Sequence, residues 1–295
     1  MTHDESSQHH HQPMLASEFS KQGQHMTYPC SVQPKLDGVR LLASRTGLNT
    51  RNGKEVSNDD FGGLGHALAK VLPPGVVLDG EMYKHGLGFE KVVSMFKRGD
   101  AALEYHVYDL MHDQQQQQQG SAVTYAERKR MLEEVVAHLH VNDNPALLQV
   151  HIVDTRTASS AEEVSRLHAE FAAQGYEGIM LRNDAGPYEA GKRSRHLQKL
   201  KTFVTDEFVI TDVIEATGAD KGTAVFVCAS RHGDDEKSSR FRVRMRASRE
   251  ERRQQWEKRE DYVGRLLTVQ FQELSVKNSL PRFPVGICMS RDEFE

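Results

Sequence analysis

The 295-residue chain has little cysteine, no long apolar run and little net charge. Its three cysteines, Cys30, Cys228 and Cys288, lie far apart, which excludes a disulfide framework and a four-cysteine zinc site. No stretch approaches the roughly 18 apolar residues of a membrane-spanning helix, and the polar first residues fit neither a secretory signal nor a mitochondrial presequence. We therefore expect an intracellular protein of a reducing compartment, neither secreted nor membrane-bound, in the cytoplasm, the nucleus or an organelle.

The formal net charge of −4 conceals two local clusters of basic residues. One lies at residues 192–201 and the other at residues 240–246. A phosphate backbone responds to local clustering and not to the total charge, so both segments are candidate contacts for a polyanion.

The chain is long enough for two domains, and its composition and hydrophobic pattern change along its length. Residues 1–27 carry few apolar side chains, so we expect a disordered polar tail. The glutamine run at residues 114–119 is expected in an expandable loop. From residue 204 onward, short β-like runs are typical of a small barrel. One charged helix is predicted at 248–262, and its Trp256 is expected to pack on the barrel.

Between these segments, hydrophobic spacing predicts alternating strands and helices. The predicted strands include 39–44, 76–82, 104–110 and 178–182, and the predicted helices are 61–71, 89–97, 124–138 and 161–171. Asn52-Gly53 predicts a hairpin turn, because this pair tolerates the positive φ angles that such turns require.

The most unusual stretch is residues 34–40, which place an amine, a carboxylate, a glycine and a guanidinium next to an apolar run. A lysine amine is a nucleophile only when neutral, and its reference pKa of about 10.4 means that catalysis requires neighbouring cations or desolvation. Lys199 and Lys201 flank Leu200, so on a strand both amines point to one side, where they need an anion or open water. Taken alone, residues 35–40 fit a solvated turn equally well.

Six short elements occur in a fixed order: Lys35-x-Asp-Gly-x-Arg40, Thr50-Arg51-Asn52-Gly53, Leu78-Asp79-Gly80-Glu81, Tyr108-Asp109-Leu110, Glu177-Gly178 and Lys199-x-Lys201. This order resembles the covalent nucleotidyltransferases, which are the ATP-dependent DNA ligases, the RNA ligases and the mRNA capping enzymes. Residues 251–256, 262–264 and 280–285 are similar to the oligonucleotide-binding (OB) domain of minimal, viral-type ATP-dependent DNA ligases.

The resemblance implies an α+β fold with an ATP-grasp-like adenylation domain at residues 28–203 and an OB-fold barrel at residues 204–295. It implies an ATP-dependent DNA ligase that seals nicks between a 3′-hydroxyl and a 5′-phosphate in duplex DNA. The expected cofactors are ATP and Mg²⁺, with Mn²⁺ as an alternative. The protein is expected to be a monomer and to act in DNA replication, repair or recombination. An RNA ligase, a capping guanylyltransferase and a non-catalytic OB-type nucleic-acid binder are the alternatives.

The resemblance also assigns roles in the reaction. Lys35 would attack the α-phosphate of ATP to become AMP-lysine, and Lys199 and Lys201 would neutralise that phosphate. Glu177 would bind the metal ion, which prefers oxygen ligands. Asp37 would act near the 3′-hydroxyl or a metal.

Further residues match nucleotide or DNA contacts of the family. Arg51 and Glu81 would lie near the ribose, and the ring of Tyr108 would stack on adenine. Arg40 would bind phosphate at the nick, and Arg193 would hold the 5′-phosphate. Two neighbours compete for the role of Arg193: Lys192 and Arg195.

Two departures from the family pattern concern the C-terminal part. The final segment, 290–295, offers Arg291 as a basic residue to orient pyrophosphate, with Arg282 upstream. Where viral-type enzymes carry a DNA-encircling insertion, this chain has only residues 217–223. Nick affinity is therefore expected to rest on the basic strand 240–246 and the tail.

Overall fold

A computed structural model describes residues 11–112, 123–230, 240–275 and 279–289. The chain divides into two compact units, the first ending at Lys201 and the second beginning at Thr202. This division lies two residues before the expected boundary. The glutamine run at 114–119 and the candidate Arg291 fall outside the described residues. None of the helices described is long and apolar enough to cross a membrane.

The first unit contains the following strands: β1 (Leu15–Glu18), β2 (Cys30–Pro34), β3 (Val39–Ser44), β4 (Gly47–Thr50), β5 (Glu55–Val56), β6 (Val76–Tyr83), β7 (Glu104–His112), β8 (Val150–Ile152), β9 (Arg156–Ala158), β10 (Gly178–Asn183) and β11 (Arg193–Lys201). Its helices are α1 (Phe19–Gln22), α2 (Asp60–Val71), α3 (Phe89–Phe96), α4 (Tyr125–Val141) and α5 (Ala161–Ala173). The helix and strand predictions are confirmed to within a few residues at their ends.

The strands of the first unit form two sheets. One has six strands in the order β5-β4-β3-β6-β7-β8, and the other has five in the order β1-β11-β10-β2-β9. Helices α2 and α4 contribute to the apolar core on the six-stranded sheet, whereas α5 packs against β2 and β10 of the other. The strands β2, β3, β6, β7 and β10 are largely buried, because their apolar residues pack on these helices.

Helix α4 illustrates how local sequence sets an element's start. Thr124 and Glu127 form a reciprocal capping box, in which the Glu127 backbone N–H donates to Thr124 Oγ1 at 3.3 Å. The Glu127 carboxylate accepts from the Thr124 N–H at 2.8 Å. These bonds satisfy donors that the first helical turn leaves open, while Leu132, Val136 and Leu139 face the core.

The prediction of a disordered tail over residues 1–27 is wrong for its described part. Residues 15–18 form β1, which pairs in parallel with β11 at the edge of the five-stranded sheet. The Leu15 N–H donates to the Lys192 carbonyl at 2.8 Å, and Met14 is only 1% exposed. Composition alone suggested disorder because the stabilising partner, β11, lies almost 180 residues further along the chain.

The second unit is a closed barrel of β12 (Val204–Glu215), β13 (Ala224–Ala229), β14 (Arg240–Met245), β15 (Leu266–Phe271) and β16 (Val285–Met289). The strand order is β12-β13-β14-β16-β15. Helix α6 (Arg249–Glu257) begins with a capping box between Ser248 and Glu251. Trp256 packs against the barrel core, as predicted.

Candidate active site

A cleft of about 770 Å³ lies between the two sheets of the first unit. Side chains from both sheets and from α3 line it. Eight of the predicted site residues contribute to its wall: Lys35, Arg40, Arg51, Glu81, Tyr108, Arg193, Lys199 and Lys201. The topology therefore gathers into one cavity residues that are spread over more than 160 positions of sequence.

Three strand ends bring Lys35, Glu177 and Lys201 together. Lys35 follows β2, Glu177 precedes β10 and Lys201 ends β11, and β10 pairs with both other strands. The Lys35 N–H donates to the Gly178 carbonyl at 2.8 Å. Both amines then bind one carboxylate: Glu177 Oε2 accepts from Lys35 Nζ, and Glu177 Oε1 lies 2.8 Å from Lys201 Nζ.

The charge state of Glu177 follows from these contacts. Burial opposes its ionisation, but Lys35 and Lys201 outweigh burial and hold the pKa of Glu177 below its ordinary value. Glu177 is thus an ionised carboxylate beside the candidate nucleophile. Lys35 must give up this contact and a proton before it can attack an electrophile.

Two glycines of the motifs are required by close backbone approaches. A Cβ on Gly38 would lie 2.4 Å from the Met82 carbonyl oxygen. Gly178 has a φ of +149°, and its Cβ would lie 2.2 Å from the Leu200 oxygen. Glycine at these positions lets the segments carrying Lys35 and Glu177 pack directly on neighbouring strands.

The predicted alternation of Lys199 and Lys201 is confirmed, since both side chains line the same cleft. Lys199 Nζ lies 2.9 Å from Glu18 Oε1 on the neighbouring strand β1. Sequence reasoning missed Glu18 because it assigned this segment to the tail.

Glu81 and Tyr108 face each other on neighbouring strands β6 and β7. Tyr108 Oη donates to Glu81 Oε2 at a long 3.4 Å. Burial raises the pKa of Glu81 to about 7, although Lys35 and Arg40 act in the opposite direction. Near neutral pH this carboxyl group can therefore change its charge.

Arg40 is held in place by a buried acid. Its Nε and Nη2 donate to the two carboxylate oxygens of Asp79 at 2.8 and 2.6 Å, and Asp79 is 1% exposed. The Tyr188 hydroxyl also donates to Asp79, at 2.6 Å. Burial opposes the charge on Arg40, but Asp79 raises its pKa well above the ordinary value. The guanidinium is thus a fixed cation on the cleft wall.

Arg51, Arg193 and Asp37 are the remaining predicted residues. Arg51 and Arg193 are exposed parts of the cleft wall, and Arg193 donates to the Ala16 carbonyl. Of the three basic candidates at 192–195, Arg193 is the one that lines the cleft. Asp37 is half-buried and is not among the residues that line the cleft. Burial is the main cause that raises the pKa of Tyr83 to about 12, and the charges of Tyr176 and Asp37 add to this rise.

A buried polar network that reaches the cleft wall at Gln33 and Arg182 was missed by sequence reasoning. Asp109 on β7 binds Arg128 on α4 through two bonds of 2.8 and 3.1 Å, and it binds Arg182 on β10 at 2.6 Å. Arg182 also donates to Gln33 on β2 at 2.9 Å and lies 5.5 Å from the Tyr108 ring centroid. The signal in the sequence was a charged residue, Arg182, inside an otherwise apolar strand.

The cleft offers carboxylate oxygens but no preformed cluster of metal ligands among the described residues. Within the described ranges, no three acidic, histidine or cysteine side chains are placed to hold an ion. Glu177 and Glu81 nevertheless offer carboxylate oxygens at the cleft. This suits Mg²⁺, which takes one or two carboxylates and completes its shell with phosphate and water.

A domain of two sheets followed by a five-stranded closed barrel is a fold that solved structures of DNA ligases share. A solved structure of a Lig E DNA ligase superposes with a TM-score of 0.71 at 23% identity, covering 95% of this chain and 99% of that one. The Chlorella virus DNA ligase-adenylate gives a TM-score of 0.52 at 23% identity, covering 96% of this chain and 99% of that one. At these identities the likeness shows the fold.

The chain belongs to the ATP-dependent DNA ligase family, because the family model described as the ATP dependent DNA ligase domain matches residues 13–201, more than half of it. The DNA ligase of African swine fever virus (strain Badajoz 1971 Vero-adapted) is 28% identical over 269 residues, covering 85% of this chain and 61% of the relative. The DNA ligase of Haloarcula marismortui is 30% identical over 199 residues, covering 61% of this chain and 34% of the relative. The chain thus spans about three fifths of the length of its viral relatives.

Proposed function

We propose that the protein is an ATP-dependent DNA ligase that seals nicks in duplex DNA as a monomer. One observation carries the proposal: Lys35 shares a cleft with Lys199 and Lys201, and one carboxylate, Glu177, binds both Lys35 and Lys201. A turn lysine in a purely structural or binding protein needs no such set of charges.

The first step loads the enzyme. Lys35 Nζ, after passing its proton to solvent, attacks the α-phosphorus of ATP, so that an N–P bond forms while the bond to the departing pyrophosphate breaks. Lys199 and Lys201 stabilise the negative charge that develops on the α-phosphoryl oxygens. Tyr108, with its ring on the cleft wall, stacks on the adenine, while Glu81 and Arg51 bind the ribose.

Two DNA steps follow. An oxygen of the 5′-phosphate at the nick attacks the AMP phosphorus and releases Lys35, which gives a DNA-adenylate. The 3′-hydroxyl then attacks the 5′-phosphorus, AMP leaves, and the phosphodiester is closed. Arg40 and Arg193 bind phosphate in these steps, and Asp37 acts near the 3′-hydroxyl.

We further propose that Glu177 would hold Mg²⁺ at the cleft. The metal would offset charge on the phosphoryl oxygens.

Incubation with labelled ATP and Mg²⁺ tests the loading step. We expect a covalent protein–AMP adduct from the wild type and none from Lys35→Ala. The matched control is Lys54→Ala, which removes an exposed lysine from the rim of the same cleft and should leave adduct formation in place.

Nicked DNA duplex, nicked RNA duplex and single strands, offered side by side, test the substrate. Sealing of the DNA nick is the expected result. Adduct formation without DNA sealing would refute the DNA-ligase assignment, and an adduct with GTP instead of ATP would favour a capping enzyme.

A further inference from the structure

The edge strand β1 brings a carboxylate against one of the cations of the cleft. Lys199 Nζ lies 2.9 Å from Glu18 Oε1. Lys199 lines the cleft, whereas Glu18 is not among the described residues that line it. The Glu18 side chain is 43% exposed and that of Lys199 is 24% exposed, so water reaches the ion pair. Glu18 therefore neutralises, from outside the cleft wall, part of the charge that the cleft offers to an anion.

A shift in strand register creates this contact. The pairing of β1 with β11 shifts between Ala16 and Ser17, and after the shift Glu18 lies level with Lys199. The buried Ser17 hydroxyl donates to the Ser194 carbonyl at 2.8 Å across the shifted pair of strands. The position of Glu18 is thus set by the backbone of the sheet.

The segment that follows Glu18 is also held in place. Gln198, the residue before Lys199, is 0% exposed, and its Nε2 donates to the Gln22 carbonyl at the end of α1 at 2.9 Å. Glu18 lies between this anchor and the one at Ser17, so its carboxylate is fixed beside the Lys199 amine.

The two amines on the cleft side of β11 are paired differently. Lys201 pairs with Glu177, the acid to which we assign the metal ion. Lys199 pairs with Glu18, an acid that the proposed reaction does not use. The reaction therefore leaves the role of Glu18 unexplained.

An ammonium group can bind Glu18 and a phosphate at the same time, because it has three N–H donors. If Lys199 Nζ donates to both at about 2.9 Å, tetrahedral geometry places the two acceptor oxygens about 5 Å apart. Negative charges at this separation repel each other, which in water weakens binding about fivefold.

We propose that Glu18 lowers the affinity of the cleft for the phosphates of ATP by acting through Lys199. This inference rests on the proposed function, because it takes the α-phosphate of ATP as the anion that Lys199 binds. A triphosphate held by several cations leaves slowly, and a fixed carboxylate beside one of them keeps the bound nucleotide exchangeable.

The test is the equilibrium binding of α,β-methylene-ATP with Mg²⁺, since the carbon bridge of this analogue prevents the loss of pyrophosphate. Glu18→Gln removes the charge and keeps an oxygen for Lys199. Its Kd should be about fivefold lower than that of the wild type at 0.1 M salt.

The kinetics of AMP-adduct formation give a second readout. The ATP concentration that gives half the maximal rate should fall by the same factor in Glu18→Gln, while the maximal rate stays within about twofold. This split is expected because the charge acts alike on bound ATP and on the transition state. An equal fall of the maximal rate would show that Glu18 orients Lys199 for the reaction and would overturn the proposal.

The matched control is Asp154→Asn, which removes the same charge from an exposed ion pair. Asp154 binds Arg156 at 3.0 Å and is 55% exposed. Arg156 lies on β9, at the opposite edge of the same sheet, and is not among the described residues that line the cleft. The Kd of this variant should equal that of the wild type.

Salt separates a charge effect from a change in packing. The Debye length falls from about 10 Å at 0.1 M salt to about 3 Å at 1 M, so the ratio of the wild-type Kd to that of Glu18→Gln should approach one. A ratio that does not change with salt overturns the proposal, and so does weaker or unchanged binding by Glu18→Gln at 0.1 M. Equal tightening in Asp154→Asn also overturns it, because the effect would then come from net charge alone.

The outcome for the ligase assignment is read separately. A wild type that binds the analogue but forms no AMP adduct with ATP overturns the ligase assignment, while the ratio of the two Kd values still decides the role of Glu18. Normal adduct formation together with equal Kd values leaves the ligase assignment standing and overturns the role of Glu18.

Discussion

Replacing Asp109 by asparagine should be among the most damaging single changes in the first unit. The Asp109 side chain is 0% exposed, and the guanidinium-bearing side chains of Arg128 and Arg182 are each 3% exposed. Asparagine is nearly the same size, so no cavity forms. The substitution removes the negative charge of Asp109, which within the described network is the one charge shared by the buried guanidinium groups of Arg128 and Arg182.

The expected magnitude follows from the burial of all three groups. Removing one partner of a buried ion pair leaves an uncompensated charge, which costs about 3–5 kcal/mol. For a unit of about 200 residues this corresponds to a fall in Tm of about 6–20 °C. Arg182 also holds Gln33 and lies over Tyr108, so AMP-adduct formation should fall at temperatures where the protein is still folded.

Thermal and denaturant unfolding of Asp109→Asn measure the effect, and Glu170→Gln is the matched control. Glu170 likewise binds two arginines, Arg156 at 2.9 Å and Arg166 at 2.5 Å, but it is 38% exposed. Its loss should cost at most about 1 kcal/mol, since water screens and replaces the exposed pairs. Equal destabilisation by the two variants would refute the reasoning from burial.

Two further predictions concern the cleft itself. Because burial raises the pKa of Glu81 from 4.5 to about 7, the folded state binds this proton more tightly, so stability from this group is full below pH 4.5 and is lost as the pH rises towards 7. Glu81→Gln should abolish that loss, so that in denaturant unfolding at pH 8 the variant should be more stable than the wild type by up to about 3 kcal/mol. Unfolding free energies of the two proteins that change in parallel with pH would contradict this. Gly38→Ala places a methyl group 2.4 Å from the Met82 oxygen, so the Lys35 segment must shift, and adduct formation should fall about 100-fold. Adduct formation at the wild-type rate, with an unchanged Tm, would show that the segment can shift without displacing Lys35.

The local elements were readable in the sequence because they depend on neighbours along the chain. The alternation of Lys199, Leu200 and Lys201 indicated a strand with both amines on one side, and the structure places both in the cleft. The spacing of apolar residues marked α4 and α5, and the short turn-bounded runs marked the barrel. Periodicity decides these features, since it states which face of an element can be buried.

Other features depend on residues far apart in sequence, and no local pattern encodes them. Residues 15–18 look disordered by composition but become β1 because β11 supplies backbone partners. Arg40 was expected to bind phosphate, but the sequence did not show that the buried Asp79 binds its Nε and Nη2 and fixes the guanidinium in place.

The sequence by itself determined the chemical groups of the site and the family to which they belong, because the motifs carry the nucleophile, the acids and the cations in a recognisable order. Only the tertiary structure decided their pairing: that Glu177 binds both Lys35 and Lys201, that Lys199 binds Glu18, and that Asp109 joins the two sheets through Arg182. The physical reason is that a charge is set by its surroundings. Burial and the nearest opposite charge fix whether a carboxylate or an amine is ionised, and both are products of packing between distant strands.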